Sequence, residues 1–131
     1  MLKERAAKKY HHDQIRYASP VDLIVMLYDK TIFHLRRAIA ALEARQLQEK
    51  GEALCRAAEI IGELRVVLDR ERGGEIATNL DNLYGYMLEQ LTIAHYDNDA
   101  EKMRLVIRLM EELREGWRGV AKTQQAQPAH P

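Results

Sequence analysis

From Val21 to Val120 no proline interrupts the chain, and apolar residues recur three and four positions apart through most of that stretch. This is the helix period, and no alternating run marks a strand. An all-α chain of four helices is expected. The first opens at Ser19, whose hydroxyl can accept from a free backbone N–H; Pro20 suits the first helical position, and Asp22 suits the positive helix end. It should run to about Arg45, with Leu23, Ile24, Leu27, Leu35, Ile39 and Leu42 on its core face. A second segment, about Lys50 to Arg70, carries Leu54, Ala57, Ala58, Ile61, Leu64 and Leu68, and Gly73-Gly74 is read as the break that ends it. The third repeats Ile76, Leu80, Leu83, Met87, Leu91 and Ala94 and ends at Asp97-Asn98-Asp99, where Asn98 and Glu101 have the spacing of a capping box for the fourth. The fourth aligns Met103, Val106, Met110, Leu113 and Trp117.

Helices of about 20 residues span about 30 Å each. Short connections make neighbours antiparallel, so the expected architecture is an up-down four-helix bundle over residues 19–122. Residues 1–18 fall outside the pattern and read as a basic arm, in which Lys3, Arg5, Lys8, Lys9 and Arg16 outnumber Glu4 and Asp13. The polar, proline-containing stretch 123–131 reads as a disordered, flexible tail.

Composition narrows the function. The 131 residues allow one domain. Twenty Lys and Arg balance twenty Asp and Glu, which disfavours a nucleic-acid binder because phosphate attraction needs concentrated positive charge. No apolar run approaches a membrane span, and none follows the basic start, so neither membrane insertion nor a signal peptide is expected. A single cysteine, Cys55, fits a reducing cytoplasm.

Candidate chemistry is sparse. A di-metal bundle site needs Glu-x-x-His pairs, yet Lys8, Lys9, Thr31, Thr92 and Gln127 stand three before the five histidines. Paired cysteines and His-Glu-x-x-His are missing, so no metal ligands are assigned, and His11-His12 is read as a solvated pair. Cys55 has no neighbouring histidine to activate it, and Gly73-Gly74 lacks the Lys-Ser/Thr of a phosphate loop. An enzyme would need an inward cluster such as Arg65 with Glu63 or Arg108, whose helical facing is mostly outward. No catalytic residue and no cofactor is expected.

The informative feature is surplus apolar surface. Nine of the thirteen residues from Leu23 to Leu35 are apolar or aromatic. Met26 and Phe33, extended by Ala40, run opposite the core face of the first helix, flanked by Asp29, Lys30, Arg36 and Arg37. Asn79, Tyr86 and Ile93 recur at seven-residue spacing away from the core line of the third, and Leu105 and Ile107 broaden the fourth. A monomer exposing such strips is prone to associate. The arm could cover a strip with Tyr10, Ile15 or Tyr17; a second copy could pair there, making a homodimeric adaptor or scaffold; or a partner's amphipathic segment could dock.

The order of several motifs resembles the bacterial flagellar secretion chaperones specific for flagellin. The matching pieces are Tyr10; Ala18-Ser19-Pro20 with Leu23 and Met26-Leu27-Tyr28-Asp29; Leu64 to Asp69 before Gly73-Gly74-Glu75-Ile76-Ala77; Asn79-Leu80 with Leu83-Tyr84-Gly85-Tyr86-Met87; Asn98-Asp99; and Leu113-Arg114-Glu115-Gly116-Trp117. They cover about residues 10 to 120. The resemblance implies a cytoplasmic four-helix bundle that binds the disordered C-terminal segment of flagellin, prevents premature filament assembly and presents its client to the type III export apparatus. Tyr10 lies in the arm that resembles the family's N-terminal cover. Met26, Phe33, Asn79, Tyr86 and Ile93 are assigned to partner binding from their facing alone, and Ile15 as part of the arm.

Overall fold

The computed structural model describes the backbone of residues 19–126 and the side chains of residues 19–123. The expectations placed on the arm, including Tyr10 and Ile15, lie outside the described residues. Helix α1 spans Pro20–Glu43. Its start is the expected one: Ser19 Oγ accepts from Asp22 N at 3.1 Å, and Asp22 Oδ2 accepts from Ser19 N at 3.3 Å, so two free donors are satisfied reciprocally. It ends in a Schellman turn in which Arg45 takes φ +59° and the Gln46 N–H reaches back to the Ala41 carbonyl at 2.8 Å.

Helix α2 spans Leu47–Val66 and α3 spans Arg70–Asp97. A first break falls at residues 67–69, ahead of the glycine pair. Asp69 is the reason: its carboxylate accepts from Arg72 N at 3.1 Å and caps a first turn that Gly73 closes onto the Asp69 carbonyl. Gly74, at φ +51° and ψ −124°, is non-helical, so the expected break at the glycine pair is present as a kink that separates the short turn capped by Asp69 from the long helical run after it. Helix α4 spans Ala100–Ala126, so the boundary expected at Thr123 lies within a helix. Its cap is Asp99, which accepts from Glu101 N and Lys102 N, and not the expected Asn98–Glu101 box. Asn98 instead turns left-handed at the end of α3, a conformation its short polar side chain tolerates.

The helices pack in a ring, α1 on α2, α2 on α3, α3 on α4 and α4 on α1. Ion pairs fix the direction. Asp29–Arg114, Arg36–Glu111 and Glu43–Arg104 descend α4 as they climb α1, so those two are antiparallel. Arg65–Asp81 near one end and Lys50 donating to the His95 carbonyl near the other do the same for α2 and α3. An up-down four-helix bundle results, with α1 diagonal to α3.

Leu35, Ala57, Ile61, Leu64, Met87, Leu91, Met103, Val106 and Met110 form the centre of the core. On α1 the fully buried line is Tyr28, Thr31, Ile32, Leu35 and Ala38, displaced from the expected one. Leu23, Ile24, Leu27, Ile39 and Leu42 are only half-buried, because they take the margins of a wide arc shared between two neighbouring helices. Thr31 can lie inside because its hydroxyl donates to the Leu27 carbonyl at 2.9 Å. Ile76, expected in the core, is 69% exposed, since it directly follows the kink at the bundle's end. Ile107 is buried and contributes to the core, not to a second face.

Candidate partner-binding site

The beginnings of α1 and α3 and the ends of α2 and α4 come together at one end of the bundle. Between them lies a cavity of about 290 Å³. Pro20 and Ile24 come from α1, Leu64 from α2, and Ala77 and Leu80 from α3, with Val67 and Leu68 from the intervening loop. Asp69, at the rim, is the one charged lining residue. Such a cavity takes apolar side chains by burial and offers little to a hydrophilic ligand.

Its aromatic wall is polar at one point. Tyr84 and Trp117 line the cavity, and Tyr28 lies behind them. Trp117 Nε1 donates to Tyr28 Oη at 3.2 Å, while the Tyr28 and Tyr84 hydroxyls share a hydrogen bond at 2.5 Å across the bundle. The two phenol rings meet edge to face with centroids 6.4 Å apart. Burial raises both phenol pKa values, so both stay protonated at neutral pH.

A charged clasp stands beside this end. Asp81 Oδ1 accepts from Arg65 Nε at 2.9 Å and from an Arg70 guanidinium nitrogen at 3.2 Å. These two donors hold the Asp81 carboxyl down at about 2. The clasp ties the end of α2 to the start of α3 and sets the cavity's α2–α3 wall.

The strips singled out by spacing lie elsewhere. Phe33 is 58% exposed and Met26 half-buried on α1. The Phe33 ring is met edge-on by His34 at 5.3 Å and overlaid by Arg37 at 6.0 Å. An Arg37 guanidinium nitrogen donates to His34 Nδ1 at 3.3 Å, a geometry that requires neutral imidazole. Partial burial first, then the charges of Arg37, Arg56 and Lys30, lowers the His34 pKa. On α3, Tyr86 is 43% exposed, Asn79 exposed and Ile93 half-buried. Because α1 and α3 are diagonal, the two strips are not brought together, and neither lines the end cavity. Spacing alone passed over Tyr84 and Trp117 as site residues; the signal they carry is polar atoms on large residues inside an apolar line.

Cys55 is exposed, and among the described residues no three His, Cys, Asp or Glu side chains gather as metal ligands. Nor is any described helix long and apolar enough to cross a membrane. The class defined by fold and site is a four-helix bundle with an apolar cavity at one end and exposed aromatic residues along diagonal helices.

Comparison with known proteins places it more closely. The family model for the flagellar protein FliS matches residues 3–124. The flagellar secretion chaperone FliSB of Pseudomonas aeruginosa is 39% identical over 92% of this chain and 99% of its own length. FliS of Salmonella typhimurium, also a flagellar secretion chaperone, is 44% identical over 79% of this chain and 78% of its own. A crystal structure of a bacterial flagellar chaperone superposes with a TM-score of 0.76 at 20% identity, over 92% of this chain and 98% of that one, which bears on the fold. The chain belongs to the FliS family of flagellar secretion chaperones.

Proposed function

We propose that this protein is the cytoplasmic export chaperone for flagellin: it holds the disordered C-terminal segment of flagellin, keeps it from polymerising early and hands it to the flagellar type III export apparatus. The observation that carries this reading is the apolar cavity, open at the bundle's end, in a chain of the secretion-chaperone family. The work is binding, without a reaction and without a cofactor. Ordering the client costs about 2–5 kcal/mol of the gross interaction. Burial at roughly 25 cal/mol per Å² offsets it when contacts are spread along the bundle. Distributed contacts also let the client peel away in stages during export. Met26, Phe33, Asn79, Tyr86 and Ile93 supply such contacts beyond the cavity.

The chain preceding Ser19 joins the bundle beside Pro20, at the cavity's edge. In this reading Tyr10 and Ile15 of the basic arm act as a removable cover for the client surface. Calorimetric titration of the purified chain with a synthetic peptide of the flagellin C-terminal segment tests the function. Binding at micromolar concentration or tighter is expected; no heat at tens of micromolar overturns the reading.

A further inference from the structure

Trp117, Tyr28 and Tyr84 bring three polar protons to the inner wall of the end cavity, and among the described residues only two hydrogen bonds take them up. The indole N–H can only donate, so its proton goes to Tyr28 Oη. The bond between the two phenols uses a second proton, and a third is left over.

Burial decides which phenol keeps it. If Tyr84 donated to Tyr28, the spare proton would sit on Tyr28, which is 0% exposed and does not line the cavity. An orphaned donor there is a cost with no remedy. If Tyr28 donates to Tyr84, the spare proton belongs to Tyr84, 1% exposed but a lining residue. The second arrangement leaves the donor on a residue that lines the cavity.

We propose that the Tyr84 hydroxyl is a hydrogen-bond donor reserved for the client segment that fills the end cavity, and that this segment presents a main-chain carbonyl beside an apolar side chain there. The acceptor is neutral because the rest of the wall is apolar and Asp69 at the rim repels a carboxylate. Carbonyls of that kind are free at the last turn of a helix, where no intrahelical N–H remains for them. The occupant is the client because apolar surface continues outward from the mouth through exposed Val66, Val67 and Ile76. That rim lies at the α2–α3 connection, toward the helix diagonal to α1, where the arm is rooted. The inference rests on the chaperone reading above and adds a polar requirement to it.

The test is calorimetry of the full chain and two variants against the synthetic flagellin C-terminal peptide. Tyr84→Phe should weaken binding about threefold to tenfold, the worth of one neutral hydrogen bond. Tyr28→Phe breaks the same phenol–phenol bond but leaves the Tyr84 proton, so its affinity should stay near that of the parent. Unchanged affinity in Tyr84→Phe, or equal weakening in both variants, overturns the assignment. Wild-type chain that binds no peptide overturns the chaperone reading instead. If Tyr84→Phe tightens peptide binding in the full chain and changes nothing in a chain lacking residues 1–17, the arm and not the client takes the proton, and the assignment also falls. Should Tyr84→Phe fail to fold, fluorine NMR of the fluorotyrosine-labelled full chain decides. Peptide must move the Tyr84 resonance more than that of Tyr28, and an unmoved Tyr84 overturns the proposal.

Discussion

Gly74 occupies φ +51° and ψ −124°, which a side chain with a Cβ reaches only under strain. A Cβ built there meets nothing within 4 Å, so the whole effect of substitution is in the backbone. Gly74→Ala should therefore destabilise the fold by about 1–3 kcal/mol, read as a lower urea midpoint with an unchanged slope. Arg45 presents the reverse case, an ordinary side chain at φ +59° in the position of a Schellman turn where glycine is preferred. Arg45→Gly should raise the midpoint by about 0.5–1 kcal/mol in stability, because relief of the left-handed strain outweighs glycine's greater freedom in the unfolded chain. Opposite signs at these two turns would separate backbone strain from lost contacts. Gly74 and Arg45 are themselves both exposed.

Between elements, the Asp81 clasp is a contact that responds to acid. Hydrogen bonds from Arg65 and Arg70 lower its carboxyl from 3.8 to about 2 in the folded chain. A depressed carboxylate stabilises the fold above its unfolded pKa, and that contribution disappears as pH falls through the folded value. Asp81→Asn should therefore unfold at lower urea than wild type near neutrality. The gap between them should close as pH drops from about 4 to about 2. A gap that persists at the acid end would assign the effect to packing. This clasp also shows where sequence reasoning reaches its limit. Local signals placed the start of α1, since Ser19, Pro20 and Asp22 act within one turn. They found the break at the glycine pair but missed the short turn ahead of it, because the Asp69 cap is a quieter signal. On α1 nearly every position from Leu23 to Tyr28 is apolar, so periodicity could not select the buried arc. The choice fell to Tyr28, whose burial is satisfied by Tyr84 and Trp117, residues 56 and 89 positions away. The end cavity, assembled from four helix ends, has no local spacing to read.

At the scale of the whole molecule, the question is how much of the surface a client covers. The formal charge is zero, so long-range attraction adds little, and short-range burial must hold the segment. Three apolar regions are available: the end cavity, the Phe33 side of α1, and the Tyr86 side of the diagonal helix α3. A client confined to the cavity touches neither strip. One that wraps the bundle crosses both, because diagonal helices face away from each other. Phe33→Asp and Tyr86→Asp distinguish the two modes. Both residues are exposed, so far-UV helicity should hold in each variant; its collapse would return the residue to the core. Wrapping predicts that each substitution alone weakens the flagellin peptide about tenfold or more, the cost of placing a carboxylate against an apolar contact worth about 1.5–3 kcal/mol. It further predicts that the two losses nearly add, since the sites share no partner. Calorimetry of the two variants and their combination checks this, and full affinity in both would confine the client to the bundle's end.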